Sequence, residues 1–556
     1  MERKEFIWGF PSLYYPEISL SEAALRTCNK FPEKTAIIYA EPRFPCDLPP
    51  SMTYKEFGEL LLKLASSLEL LGIEKGQHIA CMLPNMPDYC VSMYALWRLG
   101  AVFIPINPMY KAEELRFVLE DSEAEGIIIH SLLYPLLDKV KGELPKLKKV
   151  ITVAGKVGEH PDLKTLILEG GAEPKKKVEI EPKEDLAAIL YTGGTTGMPK
   201  GAMLTHYNLV SNAIQLMVAS SISHRDTILG SMPLFHAAEF GLFNIAVMSG
   251  ATYVAMGRFD PALVAENIEK YGATFSWAVP PAFNALVYYL EDPRTRRYDW
   301  KSLKGFATGA WPVAPVMIER FKKIVAEKCN NPRVVHNQVW GMTEASPMCT
   351  TNPPLRLDKS YTQGIPLPDV ELKLINPETG EEITEPNVTG EAVIRGPNVF
   401  KGYWKRPEED QAAWWIDPKT GLKYFRTGDL GYIDSEGFFV FQDRVKEVIK
   451  YKGYTVAPFE LEALLLKHEA IKDVAVVGKP DPEAGEIPKA FVVLKPEYKD
   501  KVTAEEIIEW CKERISGYKR IREVEFVDEI PRTASGKILR RVLRELERKR
   551  ARETLR

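Results

Sequence analysis

Tyr191-Thr192-Gly193-Gly194-Thr195-Thr196-Gly197-Met198-Pro199-Lys200-Gly201 gathers four glycines, three threonines and one lysine into eleven residues. The segment follows the apolar run Leu186 to Leu190. Glycine admits the positive φ values that turn successive backbone N–H groups to one side, and such a nest binds anions. Threonine hydroxyls and a lysine ammonium add donors and positive charge for phosphate oxygens. The chemistry on offer is therefore a cradle for a nucleoside triphosphate. The common phosphate loop needs Gly-x4-Gly-Lys-Ser/Thr, and here Met198 and Pro199 separate Gly197 from Lys200. The competing reading is a flexible surface turn, which fits poorly with ordered Thr/Gly alternation ahead of a lysine.

Four more segments carry candidate chemistry. In Gln338-Val339-Trp340-Gly341-Met342-Thr343-Glu344, Trp340 could stack on a purine and Thr343 could bond a phosphate oxygen. Glu344 could hold Mg²⁺, which favours carboxylate and phosphate oxygens together. A strand end with a core tryptophan competes on equal terms. In Tyr424-Phe425-Arg426-Thr427-Gly428-Asp429-Leu430-Gly431, the Asp429 carboxylate suits paired ribose hydroxyls, although alone it reads better as an Asp-rich turn. The charged stretch Asp443 to Tyr454 reads by itself as a solvated linker. In Pro531-Arg532-Thr533-Ala534-Ser535-Gly536-Lys537-Ile538, Lys537 stands at the start of the last helix. A cation there faces the positive end of the helix dipole, a misfit that favours a functional lysine over a surface one.

The elements that must position these groups alternate in period. Tyr54 to Leu71 reads as an amphipathic helix, His78 to Leu83 as a strand, Asp88 to Leu99 as a helix ended by Gly100, and Ala101 to Ile106 as a strand. This β-α-β rhythm predicts an α/β fold with largely parallel sheets. Short alternating runs at Val370 to Ile375 and Glu391 to Ile394 predict an antiparallel or barrel-like β section. Beyond Asp443 the chain predicts a compact α+β unit: helices at Glu460 to Lys467 and Ala504 to Ile515, strands at Val474 to Val477, Ala490 to Leu494 and Glu523 to Val527, and a last helix. The expected organisation is a large domain over 1–443 and a small, mobile α+β domain over 444–556.

Composition bounds the rest. A chain of 556 residues is too long for one ordinary core. Its 45% hydrophobic and 27% charged residues are those of a globular enzyme. A net charge of −3 supplies no global field toward nucleic acid. The seven cysteines form no Cys-x-x-Cys pair, which argues for reduced thiols, a cytoplasmic home and no structural zinc. The uncharged run Phe240 to Gly257 is broken by Ser249-Gly250 and reads as helix, turn and strand, so no transmembrane segment is expected. Only six glutamines hint weakly at a heat-adapted host.

Taken together and in this order, the motifs resemble the adenylate-forming superfamily of acyl-CoA synthetases, aryl-CoA ligases, luciferases and peptide-synthetase adenylation domains. The resemblance covers nearly the whole chain. The string Ile449-Lys450-Tyr451-Lys452-Gly453-Tyr454-Thr455-Val456-Ala457-Pro458 is typical of the fatty-acyl-CoA ligase and the related aryl-CoA ligase and luciferase branch. The resemblance implies ATP, Mg²⁺ and coenzyme A as reactants or cofactors. It implies that Thr192, Gly193, Gly194, Thr195, Thr196, Gly197 and Lys200 cover the β- and γ-phosphates. Gly309, Ala310, Trp311, Trp340 and Gly341 would flank adenine, Thr343 the α-phosphate, and Asp429 and Arg444 the ribose. Glu344 would hold Mg²⁺, with Thr196 as a further candidate. Lys537 would reach the carboxylate and α-phosphate in the first step, and Lys446 would be the hinge. Gly453, with Lys450 nearby, would line the coenzyme A tunnel in the second step. His236, after Pro233-Leu234-Phe235, would sit beside the acyl group, with a core histidine at a helix start as the alternative.

The chain departs from the family pattern at two places. Glu239 is an acid where apolar or small residues are usual, and Trp311 is bulky where a small residue is usual. Phe235, Phe240, Trp277, Pro281 and Phe283 could line an apolar tunnel or be ordinary core. The expected reaction is activation of a medium- or long-chain fatty acid to acyl-adenylate and then acyl-CoA, with AMP and pyrophosphate released. Thr455 modestly favours a fatty over an aryl acid. Aryl-CoA ligase, loading of a separate carrier protein, luciferase-like oxidase side activity and a silent AMP- or fatty-acid-binding sensor are the rivals. In the last helix, Ile538, Leu539, Val542, Leu543 and Leu546 are expected to form the packed face, opposite Arg540, Arg541, Arg544, Arg548, Lys549, Arg550, Arg552 and Arg556. Weak contact of that basic face with anionic lipid and a homodimer stay open.

Overall fold

The alternation of apolar runs is realised as two seven-stranded sheets. The computed structural model describes residues 9–40, 44–192, 199–353, 357–452, 454–499, 501–533 and 538–554. One sheet runs in the order Val335–Gln338, Gly305–Thr308, Phe275–Ala278, Thr227–Gly230, Thr252–Met256, Thr35–Ala40, Ser51–Thr53, and is parallel except for its last pair. The other centres on His78–Met82, Val102–Pro105 and Gly126–His130, again parallel, with the antiparallel hairpin Leu186–Thr192 and Lys200–Thr205 toward one edge. Helices cover the faces, as parallel strands buried on both sides require. Trp97, fully buried, ties the layers: its Nε1 donates to the Ala187 carbonyl at 2.7 Å, and its ring meets Phe103 and Phe240 edge-on.

Local signals explain the element ends. Helix Tyr54–Leu70 begins at a capping box in which Thr53 and Glu56 satisfy each other's backbone N–H groups. Helix Ala237–Ser249 is capped by His236, whose Nδ1 accepts from Ala238 N at 3.4 Å, and stops at Gly250 with φ 76°. The uncharged run 240–257 is thus helix, turn and the strand Thr252–Met256. The expected β section is a six-stranded antiparallel sheet containing Glu371–Ile375, Gly390–Arg395, Lys423–Ile433 and Phe439–Arg444.

The fold is an α/β large N-terminal domain followed by a small C-terminal α+β domain. Strand Phe439–Arg444 closes the antiparallel sheet of the large domain, and the next strand, Ile449–Tyr451, belongs to a separate five-stranded sheet. There Ile471–Asp481 and Gly485–Leu494 pair as a hairpin longer than expected, because the pairing continues through Lys479, Pro480 and Asp481 at the tip. Two expectations about the last helix are corrected. It begins at Arg540, because Ile538 is held in a β-bridge to Arg532. Its packed face is not wholly apolar: Leu543 is buried with Arg540 and Glu547, while Val542 and Leu546 are exposed. The guanidinium of Arg540 can be buried because Glu447 and Glu462 each approach it within 2.6 Å.

Candidate active site

The hairpin register sets Thr192 opposite Lys200, at the two feet of the glycine-rich loop. Gly193, Gly194, Thr195, Thr196 and Gly197 lie outside the described residues, as do Gly453 and Lys537. The short strand Gly402–Tyr403 adds to the hairpin's edge and brings the Tyr403 ring within 5.3 Å of the Lys200 ammonium. The Tyr403 hydroxyl donates to Oε1 of Glu344 at 2.7 Å. Burial, then the Glu344 charge, raise the affinity of that phenol for its proton, so it stays a donor. Among the described residues Oε2 of Glu344 and the Thr343 hydroxyl bear no hydrogen bond. No cluster of three His, Cys, Asp or Glu is present among the described residues. A single carboxylate with one open oxygen suits Mg²⁺ carried in by phosphates rather than held in an all-protein cage.

A second group assembles across strands. Asp429 and Arg444 are cross-strand partners, with Arg444 Nε 3.1 Å from Asp429 Oδ1. The indole Nε1 of Trp340 donates to Asp429 Oδ2 at 2.8 Å. Asp429 Oδ1 is buried and receives no directed hydrogen bond among the described residues, so it retains capacity for a hydroxyl donor. These side chains line a polar cavity of about 30 Å³ together with Ala310, Trp311, Gly341 and Phe441. Trp340 is only 5% exposed and packs against Phe439 with its ring tilted. Close approach fixes the glycines. A Cβ on Gly341 would lie 2.1 Å from the Pro347 carbonyl oxygen, and one on Gly309 2.9 Å from Val339 Cγ2. Ala310 holds φ 70°, a left-handed conformation that a non-glycine residue adopts at a cost of about 1–3 kcal/mol.

An apolar cavity of about 290 Å³ adjoins the polar one, and Val339 lines both. Its floor is made by alternate residues of three parallel strands: Phe275 and Trp277, then Gly305 and Ala307, then Val335, Asn337 and Val339. Small residues on the central strand leave room above it. Its roof is one stripe of helix Ala237–Ser249, formed by Ala238, Gly241, Leu242 and Ile245. Of the aromatic residues expected there, only Trp277 lines it. Phe240 faces Trp97 and Phe103 instead, because helical spacing turns it away from the roof stripe, and Phe283, on the separate helix Pro280–Glu291, packs on Phe306 and Phe321. Trp311 does not intrude either. Its ring meets Phe441 and Phe459 edge-on and lies 4.4 Å from the Arg540 guanidinium.

Glu239 is fully buried beside this cavity. Tyr253 Oη and Trp277 Nε1 each donate to it at 2.6 Å, and Met232 N at 3.2 Å. Burial pushes its carboxyl up to about 7, against the lowering effect of those donors.

At the expected domain boundary Asp443 accepts from Phe459 N at 3.1 Å, and just beyond it Arg544 donates to the Lys446 and Glu447 carbonyls at 2.6 Å each. Lys446 itself is exposed. Lys450 lies apart from both cavities, on strand Ile449–Tyr451, where its N–H donates to Glu486.

Sequence reasoning missed Tyr403, Gln338 and Arg540. Gln338 fixes the segment after Thr308 by accepting from Val313 N at 2.7 Å and donating to the Tyr361 carbonyl at 3.2 Å. The only signal for Tyr403 was an aromatic residue after Gly402, and for Arg540 its nearness to Lys537.

Residues 25–404 match the family model "AMP-binding enzyme", and residues 460–537 match "AMP-binding enzyme C-terminal domain". The chain is 33% identical to a long-chain-fatty-acid–CoA ligase of Bacillus subtilis over 562 residues, covering 96% of this chain and 95% of that protein. It is 32% identical to a probable 4-coumarate–CoA ligase of Dictyostelium discoideum, covering 97% of each. The crystal structure of a long-chain-fatty-acid–CoA ligase from Archaeoglobus fulgidus superposes with a TM-score of 0.76 at 55% identity, over 94% of this chain and 99% of that one. Motif order, two-domain architecture and end-to-end similarity therefore agree: the chain belongs to the family of AMP-binding enzymes.

Proposed function

We propose that this enzyme activates a fatty acid of medium or long chain, with ATP, Mg²⁺ and coenzyme A, to the acyl-CoA. The observation that carries the reading is the junction at Val339, where the Asp429–Arg444 cavity meets an apolar cavity of about 290 Å³. A nucleotide in the first and an acyl chain in the second would meet at the α-phosphate. That volume stands at the lower end of the roughly 300–1,000 Å³ usual for ligand pockets.

In the first step a carboxylate oxygen attacks the α-phosphorus, the bond to the bridging oxygen breaks, and pyrophosphate leaves. In the second, the coenzyme A thiol attacks the acyl carbon and AMP leaves, taking the bonding pair. Asp429 and Arg444 grip the ribose, Trp340 holds Asp429 in place, and the Trp311 segment borders adenine. Thr343 and Lys200 contact phosphate oxygens. Mg²⁺, bound with the phosphates through Glu344, would offset their charge, and Tyr403 orients that carboxylate. His236 stands at the acyl end. Lys537 serves the first step. We place the domain boundary at 443/444 and the hinge at Lys446, so that rotation of the small domain brings Lys450 and Gly453 to the thiol path. A cytoplasmic location is our reading from the seven free cysteines.

An aryl acid is the second reading, favoured by the coumarate ligase relative and by the Phe275 and Trp277 rings in the cavity wall. The test is a panel of acids from acetate to oleate with benzoate and cinnamate, assayed with coenzyme A for AMP and thioester. Fatty acids are expected to give both. ADP in place of AMP with every acid would overturn the reading.

A further inference from the structure

Glu239 stands three residues into helix Ala237–Ser249, next to the residues that roof the apolar cavity. Its carboxylate sits over Gly230, where a Cβ would lie 2.4 Å from Glu239 Oε1 and 2.1 Å from the Tyr253 hydroxyl. Only glycine leaves that space. The acid is fully buried, and no cation pairs with it among the described residues. An isolated buried carboxylate is costly, and helix–sheet packing alone would be served by an apolar side chain. What the carboxylate does instead is collect three donors, and one of them is the indole N–H of Trp277 at 2.6 Å.

Trp277 is the large ring of the cavity floor. Beside it the floor is made by Phe275 on the same strand and by the small residues Gly305 and Ala307 on the next, which leave space over the ring. The indole is buried in the core, and the polar contact that fixes its nitrogen is the one to Glu239. The helix that supplies Glu239 also supplies the roof, so one residue ties the position of the wall to that of the roof.

We propose that Glu239 is a positioning residue for substrate selection: by pinning the Trp277 indole it fixes the cross-section of the apolar cavity, and so restricts the enzyme to slender, unbranched acyl chains. This rests on the reading of that cavity as the acyl site. Released from Glu239, the indole gains rotamers, and bulkier branched or aromatic acids gain entry.

The test compares kcat/KM for pyrophosphate release with a straight-chain, a methyl-branched and an aryl acid in wild type, Glu239→Leu, Glu239→Gln, Trp277→Phe and the Glu239→Leu/Trp277→Phe double variant. Preference for the straight chain over the branched acid is expected to fall at least tenfold in Glu239→Leu and in Trp277→Phe. The loss should come mainly from a lowered KM for the branched acid, with the KM for ATP changed less than twofold. The double variant should lose no more than either single variant, because both remove one interaction. Glu239→Gln keeps a carbonyl acceptor and should retain most of the preference. Unchanged preference in Trp277→Phe, or independent multiplicative losses in the double variant, would overturn the proposal. If Glu239→Leu fails to fold, Trp277→Phe and Glu239→Gln decide alone on the same criteria. A wild type that activates none of the acids overturns the acyl-site reading along with it, a result distinct from an active enzyme with unaltered preference.

Discussion

Trp340 and Asp429, 89 residues apart in the chain, share a 2.8 Å hydrogen bond from indole N–H to carboxylate. The other oxygen of the same carboxylate faces Arg444 at 3.1 Å. One acid is thus oriented from two sides by residues of two other strands, and its remaining acceptor capacity is directed at the polar cavity.

Trp340→Phe keeps the ring but deletes the donor. A hydrogen bond to a charged group contributes about 1.5–3 kcal/mol, so ATP and AMP should bind roughly 10- to 100-fold more weakly. Calorimetric titration with AMP checks this, and unaltered affinity would remove Trp340 from the positioning of Asp429.

Tyr403→Phe frees Glu344 Oε1 from its 2.7 Å bond. The carboxylate then loses its orientation. Half-maximal pyrophosphate release should require several-fold more Mg²⁺, with kcat restored at saturating Mg²⁺. A Mg²⁺ titration with the same half-saturation in both proteins would contradict the assignment.

Glu239 gives a signed pH effect. Burial raises its carboxyl from the ordinary 4.5 to about 7. The folded chain keeps a proton there that the unfolded chain releases between those values, so this group's contribution to stability falls as pH rises through the window. Glu239→Gln carries no titrating proton. Relative to that variant, wild type should lose roughly 3 kcal/mol on going from below 4.5 to above about 7, at about 1.4 kcal/mol per pH unit. Denaturant melts at both ends of the range measure the difference, and a constant gap would mean that the carboxyl ionises normally.

Arg540→Ala would strand Glu447 and Glu462, each now paired at 2.6 Å. Breaking a buried ion pair from one side typically costs about 3–5 kcal/mol. The small domain should therefore unfold at clearly lower denaturant, ahead of the large one. A single cooperative transition at the wild-type midpoint would argue against this role.

The two half-reactions separate the last pair of variants. Lys537→Ala should slow adenylation at least a hundredfold, about 2.7 kcal/mol, with less effect on thiolysis of preformed acyl-adenylate. Lys446→Pro should do the reverse, impairing the thiol step more than the first. Equal losses in both steps would deny Lys446 the hinge.

Much of this molecule was legible in its residues because the signals are local. The apolar period gave helix Tyr54–Leu70 and strand His78–Met82, Gly250 ended a helix, and alternating runs gave the antiparallel sheet. Motif order pointed to an adenylate-forming enzyme of two domains. Register and side-chain direction were not legible, because they depend on partners far along the chain. Only pairing of Lys423–Ile433 with Phe439–Arg444 set Arg444 against Asp429. Only helix placement turned Phe240 and Phe283 into the core and left Trp277 on the cavity wall. Arg540 read as a solvated cation, because its two buried carboxylates stand 78 and 93 residues away. Residue types decided which chemistry this chain can perform. Tertiary packing decided which atoms face each other, since burial and electrostatic pairing act through space and not along the sequence.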